Sequence, residues 1–317
     1  TSDYNETGVV SGTPSLPNTS WGVVFSPNGE YLAATHTSGN GFTVIHTSDW
    51  SVVPGIEALA GSGNSVAFSP NGEYLAVTHT SGNHLTVIRT SDWSVVPGIG
   101  ALADTGYGVA FSPNGEYLAV AHKGGNHLTV IRTSDWSVVP GIGALADTGY
   151  GVAFSPNGEY LAVAHFLGKR LTVIRTSNWS VVAGTPSLPN TGTGAAFSPN
   201  GKYLAVTHTS GNHLTVIRTS DWSVVPGIGA LADTGYGVAF SPNGEYLAVA
   251  HFLGKRLTVI RTSNWSVVAG TPSLSGNGNS VAFSPNGEYL AVAHFYGNRL
   301  TVIEARGTSE IFLPDLS

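Results

Sequence analysis

The stretch F-S-P-N-G-E-Y-L-A, Phe25 to Ala33, decides the fold because it returns, with its phenylalanine at Phe68, Phe111, Phe154, Phe197, Phe240 and Phe283. Every step is 43 residues, and within the stretch only Lys202 departs from the pattern. A fixed period of this length means an array of supersecondary units that bury their apolar faces on one another. Seven equal units without a composition break make the 317 residues one domain rather than two. Within it, residues 1–20 are a closing or exchange strand, 21–303 the seven repeats, and 304–317 a tail or strand.

One repeat reads as four strands. Asn64 to Phe68 is an apolar run that stops at Ser69-Pro70, and Asn71-Gly72 is a hairpin turn. Glu73 to His79 returns. Thr80-Ser81-Gly82-Asn83 turns again into Leu85-Thr86-Val87-Ile88-Arg89, and Trp93 to Val96 follows a third turn. We name the strands a, b, c and d in chain order. Strand b (Y-L-A-V-A-H in most copies) is apolar on both faces and must be covered on both sides. Sheets packed face to face around an axis supply that environment, so the expected fold is all-β: a seven-bladed β-propeller with four-stranded antiparallel blades. No segment carries a helical period, which excludes a helical solenoid.

The unit G-V-A-F-S-P-N-G-E-Y-L-A-V followed by L-T-V-I-R-T-S-D-W-S-V-V resembles the YVTN/WD40-like propeller repeats, over about Val9 to Ile303. Two features separate it from WD40 itself: the order is Asp92-Trp93 rather than Trp-Asp, and no Gly-His pair precedes strand a. The YVTN resemblance implies an extracellular or cell-surface protein.

Composition narrows the function classes. The net charge is −6 with only 13 basic residues and no basic block, which argues against nucleic-acid binding. Cysteine is absent, so disulfides, thiolate metal sites and a cysteine nucleophile are excluded. No apolar run approaches the roughly 18 residues of a membrane-spanning helix, and no membrane insertion is expected. Methionine is absent and the chain starts at Thr1, from which removal of an initiator and a leader is expected.

The ends carry one strand too many. Val9-Val10 aligns with Val181-Val182 as a d strand placed before blade one, and Ile311-Phe312 lies at the same offset after blade seven. Either could complete blade seven. The surplus strand is a docked tail, or it pairs with a neighbouring molecule and builds a homo-oligomer or polymer.

Differences between repeats gather on one ring face, where the d-to-a and b-to-c connections lie. The b-to-c loops carry Phe166-Leu167, Phe252-Leu253 and Phe295-Tyr296, and the d-to-a loops carry Trp21, Tyr107, Tyr150 and Tyr236. Large apolar residues are unusual in turns, and clustered on one side they mark a contact surface for a protein or glycan, unless they fold over the blade tops.

Other repeated residues read as architecture. A histidine ends every b strand, from His36 to His294, but one per blade spreads them around the axis, so a repeated hydrogen bond is expected rather than a metal site. The glutamates after Asn-Gly read as solvated turn residues. Trp50, Trp93, Trp136, Trp179, Trp222 and Trp265 are expected to pack over the neighbouring blade rim, the alternative being sugar-stacking platforms of a multivalent lectin. There is no G-x-S-x-G elbow, P-loop, H-E-x-x-H or EF-hand loop, and no cofactor, metal or catalytic residue is expected. The functional expectation is a non-enzymatic surface protein that binds or self-assembles. A lectin is the alternative, and a lactonase-type propeller enzyme is less favoured.

Overall fold

In a computed structural model the chain forms a seven-bladed β-propeller, with no helix among the described residues. The structure describes residues 9–37, 41–56, 61–100, 102, 104–145, 147–168, 170–231, 233–268, 273–296 and 300–304. Blade one pairs Ser20–Phe25, Tyr31–His36 and Phe42–His46 as an antiparallel meander, and the same three strands repeat in every blade. The inner strands of the later blades are Gly63–Phe68, Gly106–Phe111, Gly149–Phe154, Gly192–Phe197, Gly235–Phe240 and Gly278–Phe283. The outer d strand is short. It is a two-residue ladder at Ser180–Val181 and Ser266–Val267, and a single antiparallel pair such as Ile88 with Val95 in the other blades.

Strand b behaves as its apolar sequence requires. Leu32, Ala33, Ala34, Thr35 and His36 are all essentially inaccessible to solvent. The core is therefore not one centre but seven clusters, each between neighbouring blades. One of them joins Ala291, Ala293, Leu300 and Val302 of blade seven to Val23, Phe25 and Leu32 of blade one. The S-P-N-G-E turn closes on itself: Ser26 Oγ donates to Asn28 Oδ1 at 2.7 Å, Asn28 Nδ2 to Glu30 Oε2 at 2.8 Å, and the Tyr31 amide to Ser26 Oγ at 2.9 Å. The repeated tryptophans bind blade to blade. Trp93 meets Tyr31 edge-on at 5.2 Å and Trp50 meets Tyr289 at 5.4 Å, although their backbones sit at φ near +60°.

The N-terminal strand closes the ring from within the chain. Val9 pairs antiparallel with Ile303, and the Val10 amide donates to the Val302 carbonyl at 2.8 Å. Ile311 and Phe312, the other candidates for that position, lie outside the described residues. Closure pairs an edge that would otherwise be open on blade seven.

Candidate functional site: the mouth of the central channel

The inner strands line a channel, and one register position dominates its upper end. Four residues before each repeat phenylalanine stand Trp21, Asn64, Tyr107, Tyr150, Thr193, Tyr236 and Asn279. All seven line a single cavity of about 250 Å³. The sequence reading placed Trp21, Tyr107, Tyr150 and Tyr236 in d-to-a loops, and the structure corrects this: each is the second residue of strand a. The pairing register of strand a slips by one between Ser20 and Val23, and likewise in the other blades. Such a bulge re-aims side chains that strict alternation would send elsewhere.

The residue after this position is Gly22, Ser65, Gly108, Gly151, Gly194, Gly237 or Ser280. Small size is required here because inner strands of adjacent blades nearly touch. A Cβ on Gly237 would lie 2.5 Å from Ser280 Cα, and one on Gly194 would lie 2.5 Å from the Tyr236 carbonyl oxygen. In blades whose b strand ends in Thr-His, the threonine secures the bulge and the next blade together. The Gly22 amide donates to Thr35 Oγ1 at 2.8 Å, and Thr35 Oγ1 donates to the Asn64 carbonyl at 3.1 Å.

The expected loop aromatics meet these inner-strand rings. Phe166 stacks on Tyr150 at 5.4 Å and Phe252 on Tyr236 at 4.8 Å. Phe295 joins Phe252 at 5.5 Å to Trp21 at 5.7 Å, and Tyr296 stands edge-on to Phe295. Tyr150 also contacts Tyr107 and Tyr236. The result is one connected aromatic cluster over the mouth, not scattered turn residues. Leu167, Leu253 and Tyr296 remain at least half exposed beside it.

The site is electrically neutral. Among the described residues, none lining the cavity is Asp, Glu, Lys, Arg or His. Burial pushes the Tyr150, Tyr236 and Tyr107 hydroxyls above the ordinary phenol range, so all three keep their protons.

Three residues of this register escaped the sequence reading: Asn64, Thr193 and Asn279. Each ties its blade to the next. Asn64 Nδ2 donates to the Gly106 carbonyl, Thr193 Oγ1 to that of Gly235 and Asn279 Nδ2 to that of Ser20, all at 2.7 Å. The signal was present in the repeat: this column changes between aromatic, amide and hydroxyl while its strand neighbours barely vary.

The b-strand histidines are structural. Nε2 of each faces the threonine seven residues on, at 3.0 Å for His79 with Thr86 and 2.8 Å for His294 with Thr301. Nδ1 of His79, His122 and His208 faces a loop carbonyl at 2.6 to 2.7 Å. A carbonyl only accepts, so Nδ1 carries a proton; burial disfavours a second one, which leaves Nε2 to accept from threonine in the neutral imidazole. No metal-ligating cluster occurs among the described residues.

Comparison with models of known protein families finds no match, and no curated protein matches the sequence. Structure comparison matches 1679 solved chains, so the shape is widely reused. One of them is a chain of Kuenenia stuttgartiensis hydrazine synthase, with TM-score 0.80 and 22% identity over 94% of this chain and 99% of that one. At that identity the likeness carries the fold and nothing of that protein's activity.

Proposed function

We propose that this propeller is a non-enzymatic binding protein that holds a small ligand at the aromatic mouth of its central channel. The observation that carries the reading is asymmetry. A chain built from near-identical repeats varies Trp21, Asn64, Tyr107, Tyr150, Thr193, Tyr236 and Asn279 at one register, and these seven converge on one cavity. Neutral hydroxyls, amides and ring faces suit recognition, since they offer shape and hydrogen bonds without a group poised to gain or lose a proton. The resemblance to YVTN/WD40-like repeats supports an extracellular or cell-surface setting.

A single site is favoured over a multivalent lectin. The six rim tryptophans are half-buried against tyrosines of neighbouring blades, which leaves them poor sugar platforms. Self-assembly through terminal strands is the second reading. Val9 and Val10 are engaged inside the ring, so assembly requires their release to a neighbour or a contribution from Ile311 and Phe312. Light scattering on the untagged chain separates the two, because a mass near 32.7 kDa removes the assembly reading. The binding reading is tested by a thermal-shift screen of small molecules against the wild type and Tyr150→Thr, a residue already present at this register as Thr193. Stabilising compounds should lose their effect in the variant. Shifts indifferent to the substitution would overturn the reading.

A further inference from the structure

We infer that the ligand of the channel mouth is a single neutral sugar ring, seated with its apolar face on Trp21 and its hydroxyls on the flanking asparagines. This inference rests on the binding reading above and gives its ligand class.

Asn279 is the observation that points to a ligand. It is only 4% exposed, lines the cavity, and its Oδ1 has no hydrogen-bond partner. Its orientation is fixed, because Nδ2 donates to the Ser20 carbonyl, which can only accept. A carbonyl oxygen of a cavity-lining residue is thus left without a donor, a state that costs free energy until a donor arrives. Asn64 occupies the same register on the other side of blade one and spends its Nδ2 in the same way, on Gly106. Trp21 therefore stands between two side-chain amides whose nitrogens are committed and whose oxygens accept.

This pattern selects by chemistry. An indole face takes a flat apolar ring face, and the two flanking acceptors take hydroxyl donors from the edges of that ring. A purely apolar ligand would offer the Asn279 oxygen no donor. An ion would shed its water in a lining that has no opposite charge. A cavity of about 250 Å³ sits just below the usual range for small-molecule pockets, which suits one ring rather than a chain.

The test uses the full chain and a panel of methyl glycosides of glucose, galactose, mannose and N-acetylglucosamine, followed by saturation-transfer NMR and calorimetry. Asn279→Thr removes the free acceptor and retains an inter-blade donor, as Thr193 does at its register. Trp21→Asn places the residue found at Asn64. Asn279→Thr is expected to keep the wild-type melting temperature, and Trp21→Asn, which gives up the edge contact with Phe295, is expected to melt lower but to remain folded. The expected result is one saturable site per chain, weakened at least tenfold in each variant. Glycoside binding that both folded variants retain would overturn the inference. So would an absence of glycoside binding while benzyltrimethylammonium binds in a Trp21-dependent manner, a result that leaves the binding reading standing. If no probe of either kind binds and the thermal-shift screen is also indifferent to Tyr150→Thr, both fail.

Discussion

Mild acid should loosen the ring through its buried histidines, and His294 gives the magnitude. Burial pushes its imidazole from 6.5 down to about 4, because the charged form would lose its water beside Thr301 at the C-terminal end of strand b. A group whose folded value is depressed contributes stability that is fully present above its unfolded value and is lost as pH falls toward the folded value. The window for His294 thus runs from about pH 6.5 to about pH 4. Lowering the pH to 5 traverses about 1.5 units of it, and at about 1.4 kcal/mol per unit the loss is about 2 kcal/mol. His79, His122, His165, His208 and His251 are shifted the same way by burial, so their losses add. Asp49, Asp92, Asp135 and Asp221 are held below 3.8 by hydrogen bonds from the serine two residues on, and they stay silent until the pH falls lower. The assay is guanidinium unfolding of the wild type and His294→Gln at pH 7 and pH 5. The variant will be weaker at pH 7, but its loss between the two pH values should be smaller by about 2 kcal/mol. A wild type equally stable at both pH values, or a variant with an unchanged slope, would refute the reasoning.

Further predictions concern closure and packing. Deleting residues 1–12 removes the Val9 and Val10 pairing with Ile303 and Val302, so the melting temperature should fall and light scattering should show association through the opened edge. Trp136→Ala should cost about 2 kcal/mol in denaturant titrations, since it loses the edge contact with Tyr74. Trp136→Gly should lie about 1 kcal/mol above that alanine variant, because the backbone there has φ +57°. Gly237→Ala should lower the melting temperature markedly, as its Cβ would lie 2.5 Å from Ser280 Cα, whereas Gly100→Ala meets nothing within 4 Å and should leave it within a degree or two.

Seven blades, the strand order and the doubly buried b strand were all legible in the sequence. A period of 43 residues and an apolar run such as Leu75-Ala76-Val77 are local facts, and each repeat obeys them with its own side chains. The aromatics that matter were also visible as departures from the repeat, from Trp21 to Tyr296. Their meeting was not. Trp21 and Phe295 are 274 positions apart, and only ring closure puts them 5.7 Å from each other. The bulge in strand a, which turns Tyr150 and Asn279 into the channel, arises because inner strands of adjacent blades crowd around the axis, a constraint that no single repeat contains. The choice of the N-terminal strand for blade seven is likewise a property of the closed ring. Val9-Val10 has the same sequence character as every other d strand, and its partner exists only once Leu300–Glu304 has come around to meet it.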